Sequence, residues 1–133
     1  MRDETNRDLQ LRKSYEDYLE AMLMLEEEFG VIRSVDVATK LNVTKPSVSY
    51  ATRRLRENEY ITMEPHGQIY LTEQGRAIAE SVYDRHKTLT NLLIRLGVSP
   101  EIAHSDACQM EHYISEESYQ AIVRHAKEHN NIG

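Results

Sequence analysis

Four side chains toward the C-terminal end, His104, Cys108, Glu111 and His112, carry metal-ligand chemistry at helical spacing. Positions i, i+4, i+7 and i+8 fall on one stripe of a helix, and Ile102, Met110, Tyr113 and Ile114 fall on the other side. Imidazole, thiol and carboxylate groups are each good donors to a divalent transition metal. Near the start, Asp17 and Glu20 are i, i+3 neighbours that point away from the apolar stripe Tyr15, Tyr18, Leu19 and Met22. His86 completes a cluster if the three helices bearing these groups pack together. Singly, each has a plainer reading. Two acids are an ordinary solvated face, a lone cysteine is a small buried packing residue, and a histidine is commonly just hydrogen-bonded. His125 and His129 share i, i+4 spacing too, but their polar surroundings predict solvent exposure.

A second chemistry sits between the acidic ends. Net charge is −6, which alone argues against a nucleic-acid partner. Yet residues 31–60 hold six Lys/Arg against three Asp/Glu, whereas residues 1–30 hold four against nine and residues 97–133 two against six. Within the basic block, a helix opening at Thr44-Lys45-Pro46 offers Thr44, Lys45, Ser47, Ser49 and Tyr50, backed by Arg53, Arg54 and Arg56. Short hydroxyl donors at a helix start with arginines behind them suit entry into a major groove.

The elements that must position these groups follow from periodicity and punctuation. Residues 1–13, polar and aperiodic, predict a mobile arm. The stripe from Tyr15 to Leu23 predicts an amphipathic helix stopped at Gly30. Ser34 is expected to cap a short helix ending at Asn42, a residue that tolerates positive φ in a tight turn. The recognition helix runs to about Asn58, and YITME and QIYLT around Pro65-His66-Gly67 predict a hairpin. That wing carries His66 and Gln68 but no Lys or Arg. A long helix follows from Thr72 or Glu73, with Ile78, Val82, Leu89, Leu92, Leu93 and Leu96 buried. Ser99-Pro100 opens a fifth helix to about Ile114, and Ser115 caps a sixth ending near His129.

Residues 34–72 thus have the grammar of a winged helix-turn-helix. The fold class expected is mainly α: a winged helix-turn-helix DNA-binding domain over 1–72, then a helical domain over 73–133. With 133 residues the chain can bury a core without staples. A single cysteine excludes an intrachain disulfide framework. No apolar run reaches the ~20 residues of a membrane span, and the start lacks a secretory pattern, so no membrane partner and a cytoplasmic location are expected.

SYEDYLEAM, LNVTKPSVSYATRRL, YDRH, LGV and HSDACQMEHYIS together resemble the diphtheria toxin repressor and manganese transport regulator family over about residues 14–125. The resemblance implies a metal-activated, homodimeric transcriptional repressor that binds palindromic operator DNA, with metal binding and dimerisation in the second domain. The chain is too short for the SH3-like third domain of many iron-responsive members. Carried over by motif, Asp17 and Glu20 match first-helix ligands of the manganese branch, and His86 matches the helix-4 ligand of both branches. Cys108, Glu111 and His112 match the iron branch, whereas manganese sensors place Glu where Cys108 stands. His104 matches an ancillary-site histidine, while Thr90 replaces an acidic ancillary ligand.

Carboxylates at 17 and 20 suit Mn²⁺, and the thiol favours Fe²⁺, Co²⁺, Ni²⁺ or Zn²⁺. The mixture leaves Fe²⁺ and Mn²⁺ close, leaning to Fe²⁺, with Zn²⁺, Co²⁺ and Ni²⁺ as in vitro binders. Two rival classes use the same residues. A small metal-dependent hydrolase would take Glu20 or Glu111 as base, although no nucleophile elbow or phosphate loop accompanies them. A winged-helix protein-interaction module would bind neither metal nor DNA. The expectation is a regulator rather than an enzyme.

Overall fold

The computed structural model describes residues 6–130. The elements, in chain order, are α1 (Asn6–Phe29), β1 (Ile32–Arg33), α2 (Ser34–Leu41), α3 (Lys45–Glu57), β2 (Ile61–Met63), β3 (Gln68–Leu71), α4 (Glu73–Arg95), α5 (Pro100–Tyr113) and α6 (Glu116–Asn130). The order of the six helices and the hairpin, and the mainly helical class, are as the periodicity predicts. The N-terminal arm is a correction: from Asn6 onward the segment is the first part of α1. A Lys13–Asp17 ion pair of 2.8 Å at i, i+4 supports this polar stretch of helix. The rest of the expected arm lies outside the described residues.

The chain divides into two compact units, one ending at Ser81 and the other beginning at Val82. In the first, Leu19, Met22, Ile32, Val37, Leu55 and Ile69 form a core in which none is more than 1 % exposed. A short strand that periodicity misses joins the hairpin, giving a three-stranded antiparallel sheet in the order β1-β3-β2. Arg33 pairs with Gln68 in that sheet, and its extended backbone makes it the residue preceding α2. Ser34, expected as the cap, is therefore the first helical residue. Ser99 does precede α5, but its side chain makes no capping hydrogen bond. At the end of α2, Asn42 has φ of 55°, and the N–H groups of Asn42 and Val43 donate to the Thr39 and Ala38 carbonyls.

The division falls inside α4 because the first turns of that helix are bound to the wing. Thr72 Oγ1 accepts from the Gly75 N–H at 3.0 Å and donates to the Glu59 carbonyl at 2.7 Å, so Thr72 caps the helix and fixes the entry of the hairpin. One turn on, the Arg76 guanidinium donates to Glu26 of α1 at 2.9 Å. In the second unit, Val82 and Leu89 of α4 and Ala103 and Ala107 of α5 are buried. Leu96, expected on the buried stripe, is 71 % exposed. The helix closes at Arg95 and the chain turns at Gly97 with φ of 101°, so position 96 no longer follows helical periodicity. Arg85 holds the start of α6. It donates to the Ile114 carbonyl at 2.8 Å, pairs with Glu116 and lies over the Tyr119 ring.

Candidate metal centre and DNA-reading face

His86 lies midway along α4, and α5 presents His104, Cys108, Glu111 and His112, as the stripe predicts. The His86 ring is the hub. Its Nδ1 donates to Glu111 Oε2 at 2.8 Å, and its Nε2 lies 3.0 Å from His104 Nδ1. Cys108 Sγ lies 3.7 Å from His86 Nδ1 and 3.9 Å from His104 Nε2. On the far side of the carboxylate, His112 Nε2 lies 3.4 Å from Glu111 Oε1. His86, Glu111 and His112 are 8 %, 2 % and 4 % exposed, so three ionisable groups are largely withdrawn from water. A carboxylate buried to this degree requires a cationic partner.

The His86 imidazole stands in that position, 2.8 Å from the carboxylate. The Cys108 thiol and then the Glu111 carboxylate raise the His86 imidazole to about 10, against the opposing effect of burial. A divalent cation would answer the same demand and displace the proton, since an imidazole must be neutral to ligate. The donor set fits such an ion. One ligand atom each from His86, His104 and Cys108 lie within 4.8 Å of one another, and nitrogen, sulfur and oxygen donors are all at hand. Thr90 contributes no carboxylate, and its buried hydroxyl oxygen has no hydrogen-bond partner among the described residues. His125 and His129 are exposed as expected, with His129 Nδ1 donating to the His125 carbonyl at 2.9 Å.

Asp17 and Glu20 belong to the first unit, one turn apart on α1. Asp17 is paired with Lys13, and one Glu20 carboxylate oxygen is shielded from solvent. The same unit carries the candidate DNA-reading face. Thr44, Lys45, Pro46, Ser47, Ser49 and Tyr50 are exposed at or near the start of α3 and Arg53 is exposed further along it, while Arg54 is half-buried. Thr44 is the N-cap of α3: its Oγ1 accepts from the Ser47 N–H at 3.2 Å and lies 2.9 Å from Ser47 Oγ. These two hydroxyls therefore stiffen the helix start while remaining at the surface.

Arg54 shows what sequence reasoning missed. Its Nε donates to the Tyr15 hydroxyl at 2.9 Å and its Nη1 to the Tyr50 hydroxyl at 3.1 Å. Tyr15 stands two residues before Asp17, so the helix carrying the acids also clamps an arginine of the recognition helix. Tyr15 reads in the sequence only as one member of an apolar stripe, and no local pattern links it to a residue 39 positions away. The Lys13–Asp17 pair is missed too: residues 1–13 read as an arm, and i, i+4 spacing has meaning only once α1 extends back past Lys13.

Comparisons with known proteins agree with this layout. Residues 10–69 match the N-terminal DNA binding domain of iron dependent repressors, and residues 72–130 match the iron dependent repressor metal binding and dimerisation domain. The transcriptional regulator MntR of Salmonella typhimurium is 37 % identical over 123 residues, covering 92 % of this chain and 78 % of that protein. The solved structure of IdeR from T. acidophilum is 26 % identical with a TM-score of 0.74, over 94 % of this chain and 55 % of the other. That of the metal-dependent transcriptional regulator MtsR has a TM-score of 0.78 at 24 % identity, over 85 % of this chain and 53 % of the other. The chain thus spans about half the length of these two structures. Its relatives are regulators, which removes the hydrolase reading: the protein is not an enzyme. With one half matching the DNA-binding domain and the other the metal-binding domain, the chain belongs to the iron dependent repressor family.

Proposed function

We propose that this protein is a metal-activated transcriptional repressor that binds palindromic operator DNA as a homodimer in the cytoplasm, with Fe²⁺ or Mn²⁺ as co-repressor. The observation that carries this reading is the buried His86–Glu111–His112 cluster with Cys108 and His104 at its edge, in a chain whose other unit presents a basic recognition helix. We assign residues 1–72 to DNA reading and 73–133 to metal sensing and dimerisation. Asp17, Glu20, His86, Cys108, Glu111 and His112 serve as the metal ligands, with His104 as a further donor. Thr44, Lys45, Pro46, Ser47, Ser49, Tyr50, Arg53 and Arg54 form the DNA contact. No helix among the described residues is long and apolar enough to cross a membrane.

The bound cation supplies the positive charge that the acidic ligands share. Without it, these acids have only the partners the chain itself supplies, Lys13 for Asp17 and His86 for Glu111. Once ligated, they fix the first helix relative to the dimer scaffold, and with it the spacing of two recognition helices on half-sites about one DNA turn apart. The test is selection of duplexes from a random-sequence pool. Protein with Mn²⁺ or Fe²⁺ is expected to enrich a palindrome that it does not retain in chelator; enrichment of no sequence in either condition would overturn the reading.

A related expectation concerns Tyr15. Tyr15→Phe keeps the ring but removes the hydroxyl that holds Arg54, so metal-loaded DNA affinity should fall by about 1 kcal/mol, or roughly five-fold. Fluorescence anisotropy measures this, and unchanged affinity would show that Arg54 is not used in the orientation Tyr15 imposes.

A further inference from the structure

Lys13 and Asp17 line a cavity of about 640 Å³ on the first unit, together with Pro46, Ser47 and Tyr50 from the start of the recognition helix. The Lys13 ammonium lies 2.8 Å from Asp17 Oδ2, and the two side chains are 29 % and 32 % exposed. A proposed metal ligand and proposed DNA-contact residues therefore share one groove, and a lysine stands between their roles. We propose that Lys13 is a metal-gated phosphate contact: it holds Asp17 while the metal is absent, and is turned toward DNA when the carboxylate is given to the metal. This rests on the reading of Asp17 as a ligand.

Lys13 and a divalent cation compete for the Asp17 carboxylate. An exposed i, i+4 ion pair is weak and screened by salt. A divalent cation on the same carboxylate attracts it more strongly and also repels the ammonium, because like charges sharing one anion oppose one another. A lysine is a flexible point charge with three donors, so when displaced it has reach into the groove beside Ser47 and Tyr50. An anionic duplex against that face gives it a new partner, and each phosphate neutralised steepens the salt dependence of binding. One side chain thus opposes metal entry before activation and assists DNA binding after it.

The two roles predict opposite signs for Lys13→Gln and Lys13→Met. In the absence of DNA, both variants should bind Mn²⁺ about two- to five-fold more tightly, the scale of an exposed ion pair removed from competition. With Mn²⁺ bound, both should bind the selected duplex more weakly, with a log-log salt slope smaller by about 0.9. In chelator, the slope of residual duplex binding should match that of the unmodified protein. Equal slope changes in both conditions would make Lys13 a constitutive contact and overturn the gating, as would unchanged Mn²⁺ affinity. A failure of Mn²⁺ to alter duplex binding by the unmodified protein would instead refute the repressor reading itself, so the two failures are distinct.

Discussion

Glu111→Gln should abolish the difference in operator affinity between metal-loaded and chelated protein. Glu111 is the carboxylate on which the buried cluster turns, with one oxygen 2.8 Å from His86 Nδ1 and the other 3.4 Å from His112 Nε2. Glutamine keeps the shape and one acceptor, so His86 retains a neighbour. The neutral amide neither offsets an imidazolium nor serves as an anionic ligand, and hard divalent ions select for charge. Coupling between two sites in a regulator is typically ~1–3 kcal/mol, or about 5–150-fold in affinity, and the whole of it should disappear. Glu111→Ala should do further damage. It leaves His86 beside a void, and removing one partner of a buried pair costs about 3–5 kcal/mol. Urea denaturation of the chelated protein separates the effects: Glu111→Gln should lose regulation with a smaller loss of stability. A Glu111→Gln protein that still responds fully to metal would exclude Glu111 as a ligand.

Gly75→Ala is expected to destabilise the first unit by about 1–3 kcal/mol or more, the range for forcing atoms into a packed site. Substitution of glycine by alanine inside a helix usually helps, by roughly 0.5–1 kcal/mol, so here the sign is reversed. A Cβ at this position would collide with the Tyr60 carbonyl oxygen and lie 2.8 Å from its carbon. Those are backbone atoms, and the Tyr60 oxygen is itself held by the Thr72 N–H at 3.1 Å. Relief therefore requires the start of α4 to withdraw from the wing, at the expense of the Thr72 cap. The midpoint of urea denaturation should fall accordingly. A midpoint at or above that of the unmodified protein would show that α4 and Tyr60 are less closely apposed.

How much of this was legible depends on the range of the interaction. The stripe His104, Cys108, Glu111, His112 was readable because helical periodicity alone puts those positions on one face. The turn at Asn42 and the helix opening around Thr44-Lys45-Pro46 were readable because local backbone chemistry selects those residue types. Strand β1 was not, since two residues carry no period and exist as a strand only by pairing with Gln68 and Ile69. Gly75 was silent for a similar reason, as its necessity arises from a carbonyl fifteen positions upstream in the sequence. Leu96 departs from the expected stripe because α4 ends at Arg95, beyond which helical periodicity no longer applies. Tyr15 carried no signal for its bond to Arg54, because a hydroxyl at the edge of an apolar stripe does not announce its partner. The hub role of His86 was visible only as a residue type at a suitable place; its contacts with Glu111, His104 and Cys108 are a product of packing.

Occupancy of the His86–Cys108–Glu111–His112 centre is expected to set DNA affinity. This is tested most directly by an anaerobic titration of the apo protein with Mn²⁺, and separately Fe²⁺, in the presence of a labelled selected duplex, with metal uptake and DNA anisotropy followed together. The two signals should rise in step, and duplex affinity should differ by about 5–150-fold between chelated and saturated protein. Equal duplex affinity at both ends of the titration, with metal bound, would contradict it.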